Sequence, residues 1–276
     1  LAFVDDSGAA MRPLISWQDT RVSDVEMISG ALGAAAVADL GDGLRVGSPV
    51  VTLSGLTRPA GAHVTSLIGY VAGRLAGQRA EVVHATDAGS WGMLDTRRMR
   101  WSDPACAVAG VSAACLPRVS VDVEPVAPGA SVMVAIADQQ AALLGAGLQR
   151  GWLSVNLATG CQVAMLADGF GGAAVQTRPY FAESVPAELA ARYLHTVTHL
   201  PAGRLLTAAV MAARGSAGDA DWAWVATDDR ADAGVAAAID AIVTGMVEAA
   251  ERVGGMGKPV VFSGGLVQKL PVLQDR

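Results

Sequence analysis

Ser131-Val132-Met133-Val134-Ala135-Ile136-Ala137-Asp138-Gln139-Gln140-Ala141-Ala142-Leu143-Leu144-Gly145 decides the reading of this chain. Val132, Val134 and Ile136 alternate with smaller neighbours, the pattern of a strand. An acid, Asp138, stands where the alternation stops. Gln139 to Leu148 continues as a small-residue helix, with Asp138 at its N-cap position. A carboxylate at the C-terminal end of a strand faces the crevice where open α/β sheets bind ligands. Asp138 is therefore a helix cap or a general base, and the local pattern alone favours the cap.

Downstream, Trp152 to Leu157 alternates, Ala158-Thr159-Gly160 turns, and Cys161 to Leu166 returns, which predicts a hairpin. Ala-rich helices are predicted over 204–214 and 231–253. Lys258 to Phe262 reads as a short buried strand, followed by Ser263-Gly264-Gly265 and a helix start. Upstream, residues 1–22 read as strand, turn and a second strand from Pro13 to Trp17. Residues 22–36 are helical in pattern, 40–60 are Gly/Pro-punctuated and loop-like, and 62–76 suit a helix. That last helix carries Val64, Leu67, Ile68, Val71 and Leu75 on one apolar face. Pro117 to Gly129 is a polar connection. Strand–acid–helix and strand–glycine–helix units together predict an α/β fold.

Composition narrows the function classes. The chain has 276 residues, 52% hydrophobic and 17% charged, with a net charge of -6, so a sizeable core is available. Basic residues are scattered, so nucleic acid is not an expected partner. The apolar runs are broken by charges and none reads as bilayer-spanning, so no membrane partner is expected. Cys106, Cys115 and Cys161 share no ligand spacing and read as the reduced thiols of a cytoplasmic protein. His195 and His199 form an i, i+4 pair without a third ligand, so no metal residue is assigned. The assembly is open and admits a homodimer.

Four segments together resemble the FGGY carbohydrate kinases, the sedoheptulokinase-like branch most of all. They are Ser16-Trp17-Gln18-Asp19-Thr20-Arg21; Asp87-Ala88-Gly89-Ser90-Trp91-Gly92-Met93-Leu94-Asp95 with Trp101; Ala137-Asp138-Gln139-Gln140-Ala141-Ala142; and Asn156-Leu157-Ala158-Thr159-Gly160-Cys161-Gln162. Phe262-Ser263-Gly264-Gly265 with Pro271-Val272-Leu273 is a fifth. The resemblance implies two ribonuclease-H-like domains of the actin and hexokinase type around a cleft. Residues 1–148 would form the sugar-binding domain and 149–276 the nucleotide-binding domain. The implied reaction moves the γ-phosphoryl group of ATP, with Mg²⁺, to the hydroxyl of a ketose or polyol such as sedoheptulose or xylulose. The alternative is a catalytically inactive fragment or pseudokinase that binds sugar only.

The resemblance also implies roles. Asp138 takes the hydroxyl proton as general base, and Gln139 contacts the sugar, since an amide donates and accepts at once. Trp17 lies against the sugar's carbon face. Asp19 bonds hydroxyls or pairs with Arg21, the two readings being even, and Arg21 is structural. Thr159 and Gly160 cradle the ATP phosphates with turn N–H groups, and Gly264 and Gly265 let the nucleotide lie against the backbone. The Ser90-Trp91-Gly92 segment is structural, and Arg178-Pro179-Tyr180-Phe181 resembles the segment that shapes the sugar end of the cleft, with no catalytic role.

Three departures accompany the likeness. The family's Asp-x-Gly-Thr-like phosphate loop is missing upstream, and Asp5-Asp6-Ser7-Gly8 lies too close to Trp17 to replace it. The chain stops shortly after Gly265. Lys269-Leu270 stand where the family commonly has an Asn that contacts adenosine. The expectation is a chain incomplete at both termini.

Overall fold

A computed structural model of the chain describes residues 1–172, 175–183, 185–227, 232–270 and 273. Contacts divide the chain into two compact units, Leu1–Leu144 with Asp168–Tyr193, and Gly145–Ala167 with Leu194–Arg276. The sequence reading set a single linear division at 148/149. Residues 168–193 return to the first unit instead.

The first unit starts with β1 (Ala2–Val4), α1 (Val25–Leu32) and α2 (Ala34–Asp39). The two helices meet at Gly33, whose φ of 78° ends α1, while the Asp24 side chain accepts from Met27 N–H and starts it. Next come α3 (Pro49–Ser54), β2 (His63–Thr65) and α4 (Leu67–Ala76). They are followed by β3 (Val82–His84), α5 (Ala85–Ala88), β4 (Leu94–Asp95), β5 (Arg100–Trp101), α6 (Asp103–Val108), β6 (Arg118–Ser120) and α7 (Asp138–Gly145). β1 pairs antiparallel with β2, Phe3 opposite Val64, and β3 runs parallel to β6. Phe3, Val50, Val51, Leu53, Trp91, Met93, Leu94 and Trp101 form the core between these elements.

The second unit contributes β7 (Leu153–Leu157) and β8 (Cys161–Ala167), the predicted hairpin, with Val155 opposite Val163. The chain then places β9 (Gln176–Pro179) in the first unit. The second unit resumes with β10 (Tyr193–Leu200), α8 (Gly203–Arg214), α9 (Asp219–Thr227), α10 (Ala233–Val253), β11 (Val260–Ser263) and α11 (Gly265–Lys269). Its strands lie in the order β11, β7, β8, β10, with β11 parallel to β7. α10 buries Val235, Ile239, Ile242 and Met246 and packs on α8 and β8.

Five expectations change. Residues 132–136 are not a strand. Met133 makes one bridge to Pro125, flanked by Val126 N–H to Val132 O at 2.9 Å and Val134 N–H to Glu124 O at 2.8 Å. On that side Val126 O accepts instead from Glu81 N–H and Val82 N–H, so the ladder does not extend. Pro13 to Trp17 likewise forms no strand: its link to β1 is the exchange of two bonds between Leu1 and Ile15. The 40–60 stretch contains α3, for which Pro49 supplies a preset φ at the first turn.

The 62–76 helix is a strand followed by a helix capped by Ser66. α4 buries its small face, Ala72 and Gly73, where a Cβ on Gly73 would lie 2.8 Å from Gln78 O. Leu67, Val71 and Leu75 are left exposed, the reverse of the expected orientation. β11 is half-exposed rather than buried because it ends the strand order.

By length and composition α10 does suffice to cross a bilayer, which the sequence reading had not credited to any segment. Its buried face and the Asp240, Glu248 and Glu251 it carries fit a core helix. Pro271 and Val272 of the fifth segment, and residue 231 of the predicted second Ala-rich helix, lie outside the described residues.

Candidate active site

The first unit contains a cavity of about 730 Å³ whose wall includes Trp17, Arg45, Gly47, Ser66, Trp91 and Asp138. Trp17 and Asp138, far apart in sequence, thus meet at one opening. Trp17 keeps 76% of its surface exposed. Its backbone runs against Gly47, which has φ +84° and where a Cβ would sit 1.7 Å from Trp17 O. Only glycine fits there, so Gly47 sets the place of Trp17.

Asp138 is the first residue of α7, and its Oδ1 accepts from Gln139 N–H at 2.7 Å. The helix is positioned from outside. Ala137 N–H donates to Thr86 Oγ1 at 3.2 Å, and Gln140 Nε2 donates to Pro179 O at 3.1 Å. Thr86 is in turn held by His84. The Thr86 N–H lies 3.2 Å and its Oγ1 2.8 Å from Nδ1, and His84 Nε2 is 3.2 Å from Val121 O. A neutral His84 with its proton on Nε2 satisfies this set, and burial lowers its pKa accordingly.

Behind the cavity wall sits Asp87. Its Oδ2 accepts from Ser66 Oγ at 2.6 Å and its Oδ1 from Trp91 Nε1 at 3.3 Å. Burial pushes its carboxyl up to about 6 from the usual 3.8, against the pull of those two bonds. Between pH 3.8 and 6 the native chain keeps a proton that the unfolded chain releases, so stability falls as pH rises through that window. The expected loss is about 3 kcal/mol, from two pKa units at 1.36 kcal/mol each. Urea unfolding of the wild type and Asp87→Asn at pH 4 and pH 6.5 checks this. The pH-dependent loss should be smaller in the variant by about that amount, and equal losses would refute the assignment to Asp87. The sequence treated this segment as structural and gave no sign of the shift, which comes from non-local burial.

Asp19 is not among the residues lining the cavity. Its carboxylate binds Arg21, with Nε at 3.0 Å and 2.8 Å from the two oxygens, and these bonds hold its pKa down. The ion-pair reading therefore describes its present contacts. Gln139 accepts a bond from Arg178.

In the second unit two cavities of about 590 Å³ each share Ala158, Thr159 and Arg204. Gly160 lines one of them and Gly265 the other, together with Thr207, Trp222 and Lys269. Close backbone approach is required at two positions. A Cβ on Gly264, at φ +97°, would lie 2.2 Å from Leu157 O, and one on Gly203 2.5 Å from Ala158 O. At Gly160 a Cβ would make only ordinary contact, 3.6 Å from Leu200 O. Nothing in the sequence marks Gly203, because its need for glycine comes from Ala158 in the β7–β8 turn and not from its neighbours in sequence. Lys269 stands 5.3 Å from the Trp222 ring and 3.8 Å from Asp219.

The described residues contain no group of three His, Cys, Asp or Glu side chains placed to hold a metal. His195 and His199 fall on β10, where four residues span about 13 Å, too far for shared coordination. Cys106, Cys115 and Cys161 are free thiols.

No family model matches the chain, and no curated protein matches it. Solved structures do. A xylulose kinase from Rhodospirillum rubrum superposes with a TM-score of 0.81 at 18% identity, over 99% of this chain and 67% of that one. A gluconate kinase from Lactobacillus acidophilus gives 0.72 at 15%, over 96% and 65%. A Plasmodium falciparum glycerol kinase with ADP gives 0.76 at 14%, over 99% and 67%. The fold is that of these kinases, and the chain spans about two thirds of their length.

Proposed function

We propose that this chain belongs to the FGGY carbohydrate kinases and carries parts of a sugar site and a nucleotide site. The observation that carries the reading is that Trp17 and Asp138 line one cavity of the first unit. An aromatic face beside a carboxylate suits a polyol, whose C–H face packs on the ring while a hydroxyl meets the acid. The first unit would take the sugar and the second the nucleotide, along Thr159, Gly160, Gly264 and Gly265.

In the proposed reaction Asp138 accepts the hydroxyl proton as the oxygen attacks the γ-phosphorus, and the bond to ADP breaks. Positioning and charge neutralisation carry most of the acceleration in such transfers. Gly203 and Gly265 in the wall of one second-unit cavity support the nucleotide reading. No residue set here is assigned to Mg²⁺; an ion carried on the phosphates needs few protein ligands. The substrate is proposed as a ketose or polyol, sedoheptulose or xylulose among them, and the setting as cytoplasmic, where ATP is supplied.

Calorimetric titration of the chain with sedoheptulose, xylulose, ribulose and glycerol tests the reading. At least one should bind, and Trp17→Ala should weaken that binding about tenfold or more, which is 1.4 kcal/mol. Absence of heat across the panel at millimolar concentration would refute it. Binding without any ADP release in the presence of ATP would favour the sugar-binding, non-catalytic alternative.

A further inference from the structure

Asp138 owes its place at the cavity to backbone. Its carboxylate bonds Gln139 N–H of its own helix, so where it stands depends on how the first turn of α7 is held. Ala137 opens that turn, and its carbonyl accepts from Ala141 N–H at 2.9 Å. An N–H at such a position has no partner within the helix. Thr86 Oγ1 of α5 supplies one at 3.2 Å, from 51 residues away in the chain.

The direction of that bond is set one step further back. Thr86 N–H can only donate, and it donates to His84 Nδ1. Nδ1 therefore carries no proton, and the Thr86 hydroxyl, 2.8 Å away, donates to it as well. The ring proton sits on Nε2, which faces Val121 O. With its hydrogen committed to His84, Thr86 Oγ1 turns only lone pairs toward Ala137 N–H. His84 and Thr86 are buried, and the Phe181 ring stacks on the imidazole at 5.3 Å between centroids. Burial lowers the His84 pKa, outweighing the Val121 carbonyl and the Asp122 charge, so the ring is neutral at pH 7.

We propose that Thr86 is a positioning residue for Asp138, oriented for that task by the Nε2–H tautomer of His84. The proposal rests on the reading of Asp138 as general base. It makes the place of the base depend on β3, α5 and the chain after β6, none of which lends the cavity a charged group. Valine has the shape of threonine and lacks the hydroxyl, so it removes the bond to Ala137 with little change in packing volume.

The test compares wild type, Thr86→Val and Thr86→Ser. Sugar affinity comes from calorimetry with sedoheptulose, xylulose, ribulose and glycerol, and turnover from ADP release on whichever binds. NMR follows Ala137 amide exchange, the Asp138 side-chain carboxyl resonance and the His84 ring nitrogens. Thr86→Val should lower turnover about tenfold or more, with sugar affinity within a few-fold of wild type, as misplacement of a reacting group does. Its Ala137 amide should exchange at least tenfold faster and its Asp138 resonance should shift. Thr86→Ser, which restores the hydroxyl, should return all three toward wild type. A purely structural role would lower thermal stability and leave the Asp138 resonance where it was. Unchanged turnover in a folded Thr86→Val, or a Thr86→Ser as impaired as Thr86→Val, would overturn the proposal. Two readings need only the wild type: a proton on His84 Nδ1, or an unprotected Ala137 amide, overturns it even where Thr86→Val does not fold. If the wild type binds no sugar, the kinase reading fails by itself. The Ala137 and Asp138 signals then decide the positioning, and signals identical in wild type and Thr86→Val sink it.

Discussion

Asp138→Asn is expected to lower phosphoryl transfer by about 10²–10⁴-fold while leaving sugar affinity within a few-fold of wild type. The range is what a positioned general base contributes. Asparagine retains the size of the side chain and an oxygen that can still accept from Gln139 N–H, the bond that Asp138 makes at 2.7 Å. What it loses is the capacity to take a proton. The first turn of α7, fastened through Thr86 and Pro179, should therefore stay in place. ADP release under saturating sugar, with calorimetry alongside, separates the two effects. Turnover retained near the wild-type level would remove Asp138 as the base, and a parallel collapse of affinity would make it a binding group.

Trp91→Ala should be the most damaging single change to the first unit. Trp91 is 1% exposed, lies 5.1 Å from the Trp101 ring, and donates to Asp87. Truncating a core tryptophan costs about 3–5 kcal/mol, and here a buried carboxylate also loses a donor. Against a total stability of about 5–15 kcal/mol this is a large share. The melting temperature should drop on the order of 10 °C. Trp91→Phe, which retains most of the packing, should cost less than half as much. Thermal melts of both variants check this, and a loss under 1 kcal/mol in Trp91→Ala would show that the core closes around the gap.

Features governed by neighbours along the chain were legible in the sequence. The β7–β8 hairpin follows from strict alternation around Ala158-Thr159-Gly160, and α10 from its apolar period. Features governed by distant partners were not. The α4 stripe of Leu67, Val71 and Leu75 predicts an inward face, but the tight approach at Gly73 turns the helix the other way. The strand before Asp138 fails because alternation says nothing of whether a partner runs alongside, and here the pairing stops after one bridge. Within the candidate site, Trp17, Asp138 and Gln139 could be singled out from motifs. Gly47 and Gly203 could not, and the motifs containing Asp87 and Arg178 gave no sign of their contacts, since each matters through an atom that only the fold brings near.

The chain passes between its two units three times, after Leu144, after Ala167 and after Tyr193. Neither unit is consequently a continuous stretch of coding sequence. A gene fragment ending at 144 would keep Asp138, Gln139 and Gln140 but discard Arg178 and the Pro179 carbonyl, which bond Gln139 and Gln140. Recombination could not trade one unit for a homologous one as a simple cassette, and a designer seeking to move the sugar pocket onto another scaffold must splice in two segments, not one.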